Sequence, residues 1–134
     1  MVRLEIAAVY IGINILILVV LAFLVIAARF KHKIVLGDGG SDAMSRAIRA
    51  HANAAETIPA GLVGLLVLAL LNEAAPGWLL HLSGATLTLG RLIHAIGLHH
   101  SARNLGRMLG MILTAFALIL IGAGVIYAGL SQQL

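Results

Sequence analysis

The sequence predicts an all-α membrane protein, a four-transmembrane-helix up-down bundle occupying residues 1–134 as a single domain. Three observations predict it. Hydrophobic residues make up 61% of the chain and charged residues 10%, with a mean hydropathy of +1.07, whereas soluble domains run near 25% charged. Four stretches have the length a helix needs to cross a hydrocarbon core of about 30 Å, and short polar breaks separate them. Nearly all the Lys and Arg side chains gather toward two of those breaks. There is no cysteine, so disulfides, thiolate nucleophiles and Cys-based metal sites are excluded. The net charge of +4 is spread over the flanks of apolar segments and is not interleaved with aromatics. It therefore reads as a topology signal and not as a nucleic-acid surface.

Helix 1 is expected over about Leu4–Ala28, apolar apart from Glu5 and Asn14, and closing on the basic collar Arg29-Phe30-Lys31-His32-Lys33. It is too long for a signal-peptide core and has no clear cleavage site, so it is expected to remain in the mature protein. The Leu36-Gly-Asp-Gly-Gly loop lacks the lysine of a phosphate-binding loop and reads as a plain turn. Ser41 or Asp42 then caps helix 2, which is expected to run to about Asn72 with a kink at Pro59. Glu73 to Gly77 makes a short turn. Helix 3 covers about Trp78–His99, His100 to Asn104 is a second basic loop, and helix 4 covers about Leu105–Leu130.

Arg29, Lys31, Lys33, Arg46, Arg49, Arg91, Arg103 and Arg107 lie toward the loop 1–2 and loop 3–4 side, and only Arg3 lies toward the other. The positive-inside rule then places both loops in the cytoplasm and both termini outside. Tyr10, Trp78 and Tyr127 fall near the opposite face, as an aromatic belt would.

The chemistry is expected in helix 2. Arg46, Arg49, Asn53 and Glu56 recur at i, i+3, i+7 and i+10, which at about 100° per residue is one face. The charge-free run that follows, Ile58–Leu71, covers only about 21 Å at about 1.5 Å per residue. A full span must therefore include Asn53 and Glu56, and ionisable groups at such depth are functional candidates by default. Counting inward from the shared loop puts Glu56 on helix 2 and Arg91 on helix 3 at depths of about 22 and 20 Å. The expectation is that they pair, or share a polar ligand, with His94 close to the level of Asn53. The residues alone fit two readings: a ligand site, or a buried pair that only specifies packing. Gly106 and Gly110 form a G-x-x-x-G that marks close helix packing. Arg107, one turn into helix 4, reads as a site residue or as an interfacial arginine reaching for water. His32, His99 and His100 have no carboxylates at ligand spacing, so no metal site is expected.

Arg46-x-x-Arg49-Ala-His51-x-Asn53-x-x-Glu56-x-x-Pro59 resembles the signature of the MAPEG family, the membrane-associated proteins in eicosanoid and glutathione metabolism. Val25-Ile-Ala-Ala-Arg29, Gly90-Arg91-x-x-His94, and Arg103 with Arg107 extend the resemblance along nearly the whole chain. The Leu36-Gly-Asp-Gly-Gly-Ser turn looks most like the small bacterial branch. The resemblance implies an inner-membrane homotrimer with glutathione held between subunits and a hydrophobic substrate arriving from the bilayer lipids. By position, Arg49, Asn53 and Glu56 would bind the tripeptide, with His51 inside the same signature and Arg91 beside it. His94 would contact glutathione from helix 3, and Arg29 would reach it from the neighbouring subunit. Arg107 best matches the arginine that holds the thiolate, with Arg103 as its alternative.

Arginine forks suit the two carboxylates of glutathione, and Glu56 suits its ammonium. A thiol of pKa about 8.5 is about 3% thiolate at pH 7, and lowering it two units makes about 75%, a shift of about 2.7 kcal/mol. Leu98, Met108 and Ala52 stand where some members carry tyrosine, serine and arginine. Two functions are therefore expected to compete: a glutathione-dependent transferase or peroxidase acting on hydrophobic electrophiles, and a non-catalytic membrane protein that binds glutathione or a lipid headgroup or specifies assembly.

Overall fold

A computed structural model describes residues 2–71 and 76–131. Four helices follow one another: α1 (Val2–His32), α2 (Asp42–Leu70), α3 (Gly77–His100) and α4 (Leu105–Ser131). The expected end of helix 2 at Asn72 and most of the Glu73–Gly77 turn lie outside the described residues. α1 runs four residues beyond its expected end because the basic collar stays helical. Arg29, Lys31 and His32 occupy its last turn, where cations favour the negative end of the helix dipole.

α1, α2 and α4 are each long and apolar enough to cross a membrane. α3 is less apolar, but its 24 residues extend about 36 Å. Its Ser83, Thr88, Arg91 and His94 are all buried within the bundle. These four polar residues of α3 are thus turned away from the surface that lipid would cover.

Cross-helix pairs fix the up-down order. On α2 and α3, Asn53 meets Arg91 while Gly61 meets Leu87, so the two run antiparallel. On α3 and α4, Gly97 meets Arg107 while Gly90 meets Thr114, again antiparallel. α1 and α4 flank the α2–α3 pair, and their backbones do not approach each other closely among the described residues. Leu65, Leu68, Leu80, Leu87 and Ile121 pack one end of the core, and Ile17, Leu21, Ala54, Ile58 and Leu98 pack the other.

Ser41 caps α2, its Oγ accepting from the Met44 N–H at 3.4 Å, one of the two expected capping residues. α2 continues helical through Pro59, whose missing N–H leaves the Ala55 carbonyl without its usual donor. The expected G-x-x-x-G packing is present. A Cβ on Gly110 would sit 2.6 Å from the His94 Cα, and one on Gly90 would sit 2.9 Å from the Thr114 nitrogen. Glycines on both helices therefore let α3 and α4 meet almost backbone to backbone.

Asn104 fastens the turn between those helices. Its Oδ1 accepts from the Arg107 N–H at 2.8 Å, capping α4, while its Nδ2 donates to the carbonyls of Ser101 and Gly97. At the far end Trp78 and Tyr127 are exposed, as a membrane-interface belt requires. Tyr10 is half-buried there and shares a hydrogen bond with His81 at 3.0 Å. Asn14 is fully buried between α1 and α3 and donates to Thr88 Oγ1 at 2.8 Å.

Candidate functional site: a buried arginine between three helices

Arg91 is the largest fully buried side chain of the bundle. Its Nε donates to Thr114 Oγ1 on α4 at 2.8 Å. Its Nη1 donates to Asn53 Oδ1 at 2.6 Å and to Thr57 Oγ1 at 3.2 Å on α2. Its Nη2 reaches the Gly110 carbonyl at 3.4 Å. One guanidinium thus joins α2, α3 and α4, and every one of those partners is a neutral oxygen.

The expected Glu56–Arg91 pair is not formed within the protomer. Glu56 is exposed, and Arg91 points instead to Asn53 and Thr57, the residues on either side of Glu56 in height. Depth arithmetic gives the level, because rise per residue is fixed. It does not give the direction, and Glu56 is turned about 100° from Thr57 around the helix.

The helix 2 stripe serves three directions. Asn53 faces inward to Arg91. Arg49 and Glu56 are exposed on the outer face. Arg46 is half-buried beside α1 and lines a cavity there. His51 is half-buried and lies about 140–160° around the helix from Arg49, Asn53 and Glu56. One protomer therefore does not bring it to them.

His94 is buried one turn after Arg91, against Gly110. Arg107 is half-buried, and its Nη1 donates to the Ala102 carbonyl at 2.6 Å. Arg103 is exposed and shares a shallow cavity of about 450 Å³ with Arg107, Met108 and Met111. Arg29 stands apart from this cluster. Its Nη1 donates to the carbonyls of Val35 and Gly37 at 3.2 and 3.1 Å, clamping the α1–α2 loop.

Sequence reasoning missed Thr57, Thr114 and Asn104. Thr57 lies one turn after Asn53, and Thr114 is the lone hydroxyl in the middle of α4. A hydroxyl isolated in an apolar span, level with a buried cation, was the available signal.

These features define an α-helical membrane bundle built around an intramembrane arginine. The profile of the MAPEG family matches residues 7–127. The inner membrane protein YecN of Escherichia coli K12 is 36% identical over 115 residues, covering 86% of each chain. YecN of Escherichia coli O6:H1 strain CFT073 matches to the same extent. The chain belongs to the MAPEG family.

Proposed function

We propose that this protein is a homotrimeric, glutathione-dependent transferase or peroxidase of the inner membrane, acting on hydrophobic electrophiles. The observation that carries this reading is the outward stance of Arg49 and Glu56. They are exposed at the level of buried Arg91 and His94, where the outward side chains of the neighbouring helices, such as Leu89, Leu92, Met111 and Ile112, are apolar. Charges at such depth are costly against acyl chains and belong at the interior of an assembly. A second subunit covering this face would create a crevice whose wall carries one cation and one anion.

The donor set fits the tripeptide. Arg49 offers a fork to a carboxylate, and Glu56 offers an acceptor to the ammonium. With its Oδ1 held by Arg91, Asn53 keeps its amide as a donor. His51 and Arg29, remote from these residues in one protomer, would come from the adjoining subunit. Arg107 keeps Nε and Nη2 beyond its bond to Ala102, and its positive charge lowers the pKa of a nearby thiol. Bound glutathione would supply the sulfur nucleophile. The charge bias of the loops supports a multi-pass arrangement with both termini outside the cytoplasm.

The second reading is a non-catalytic binder, favoured by Leu98 and Met108 at positions where tyrosine and serine occur in some family members. Isothermal titration with glutathione, together with conjugation of a hydrophobic aryl halide by purified protein, separates the two. The enzyme reading expects binding with turnover that Arg107→Ala abolishes while binding remains. Binding without turnover leaves the second reading. Unchanged binding by Arg49→Ala removes the site itself.

A further inference from the structure

A cavity of about 850 Å³ lies on another side of the protomer, between α1, the first turns of α2 and the second half of α3. α1 and α3 are joined by hydrogen bonds at Tyr10–His81 and Asn14–Thr88. Beyond that level they face each other across this cavity, floored by Ala43, Ala47 and Ala50 of α2. Alanines there are too small to fill the gap. The walls are apolar along α1 from Ile13 to Ala28, a length of about 22 Å. That exceeds one leaflet, about half of a 30 Å hydrocarbon core.

The basic end of the groove is different. Lys31, His32, Arg46, His99 and His100 converge there from three helices. The Nε of Arg46 is buried and has no hydrogen-bond partner among the described residues, an arrangement that costs free energy until an acceptor arrives.

We propose that this groove holds one anionic phospholipid of the basic-side leaflet, its acyl chain along α1 and its phosphate among Lys31, Arg46 and the histidines. Charge complementarity selects that occupant. A second copy of the chain in the same membrane orientation brings further cations to that end and leaves the mouth without a counter-charge. A peptide as polar as glutathione would leave its amides unbonded against the leucines of the wall. An uncharged hydrocarbon would leave the cationic mouth unanswered. The site is separate from the Arg49–Glu56 face and does not depend on any activity there.

The test is native mass spectrometry of the detergent-solubilised full chain, titrated with phosphatidylglycerol and with phosphatidylcholine of the same acyl chains. One phosphatidylglycerol per protomer is expected, bound at least tenfold more tightly than phosphatidylcholine. The Lys31→Ala/Arg46→Ala double variant should lose about thirtyfold in phosphatidylglycerol affinity, about fivefold for each basic residue, and keep its phosphatidylcholine affinity. Leu92→Trp, which fills the groove from α3, should lose both lipids. Equal affinity for the two lipids overturns the proposal, as does unchanged phosphatidylglycerol binding in either variant. Glycerophosphate competing as well as the whole lipid would mean an anion site without an acyl slot, and would overturn it. Leu92→Trp dissociating the oligomer while lipid binding persists would mean that a second copy fills the groove, and would also overturn it.

Discussion

Replacing Arg91 by methionine tests what holds the centre of the bundle together. The substitution keeps an unbranched stem and removes the guanidinium. Two short hydrogen bonds disappear, to Asn53 Oδ1 at 2.6 Å and Thr114 Oγ1 at 2.8 Å. Side-chain hydrogen bonds between membrane helices average about 0.6 kcal/mol and reach about 1.7, so the pair contributes about 1–3 kcal/mol. The hydroxyl partners do not become orphans, since Thr57 still donates to the Asn53 carbonyl and Thr114 to that of Gly110, both at 2.8 Å. No carboxylate is left uncompensated, because Arg91 has only neutral partners. Breaking a buried ion pair would cost about 3–5 kcal/mol. Arg91→Met is therefore expected to fold and to lose about 1–3 kcal/mol. With an unfolding entropy of about 2.1 cal/mol/K per residue, that lowers Tm by about 4–11 °C. Thermal unfolding followed by circular dichroism in detergent measures it. A loss of 5 kcal/mol or more would refute the neutral network and place an acidic partner on Arg91 in the assembly. No loss at all would mean the three-helix junction is not made.

Three further outcomes follow from named contacts. Gly110→Ala should cost about 1–3 kcal/mol by overpacking against His94, read as a lower Tm and faster amide exchange around Gly90–Gly97. Asn104→Ala removes the α4 cap and should cost about 0.5–2 kcal/mol, with hydrogen exchange rising in the first turn of α4. Glu56→Gln alters an exposed side chain and should leave the stability of a monomeric fold within about 0.5 kcal/mol, yet weaken glutathione binding in a calorimetric titration. An unaffected affinity there would take Glu56 out of the site.

Legibility in the sequence followed the kind of force involved. Helix existence was plain, because apolar runs of spanning length and the Ser41 cap are local features. Helix ends were less so: the basic collar Arg29–His32 continues α1 although Arg29, Lys31 and His32 are polar, since backbone hydrogen bonding does not stop where hydrophobicity does. The Gly106–Gly110 step was legible as packing, but its counterparts Gly90 and Gly97 required knowing which faces of α3 and α4 meet. Arg91 was legible as important, since a cation in mid-span is costly wherever it points. Its partners were not, because Thr57 and Thr114 are unremarkable until two helices are rotated into register. The family resemblance rests on the dense pattern of α2, and the match over residues 7–127 supports it along the chain.

The division of the α2 stripe connects fold to function. Arg46, Arg49, Asn53 and Glu56 fall within about 80° of one another around the helix, a spread narrow enough to look like one surface. Neighbouring helices cut that arc into parts. Asn53 is drawn inward by Arg91 and becomes part of the scaffold. Arg46 is taken by the α1 groove. Only Arg49 and Glu56 remain turned outward. Asn53 stands next to both in height, so the buried arginine that orients its amide also sets the wall on which the outward pair is mounted. Changes at Arg91 are therefore expected to reach a ligand through Asn53, whereas changes at Arg49 and Glu56 act on it directly.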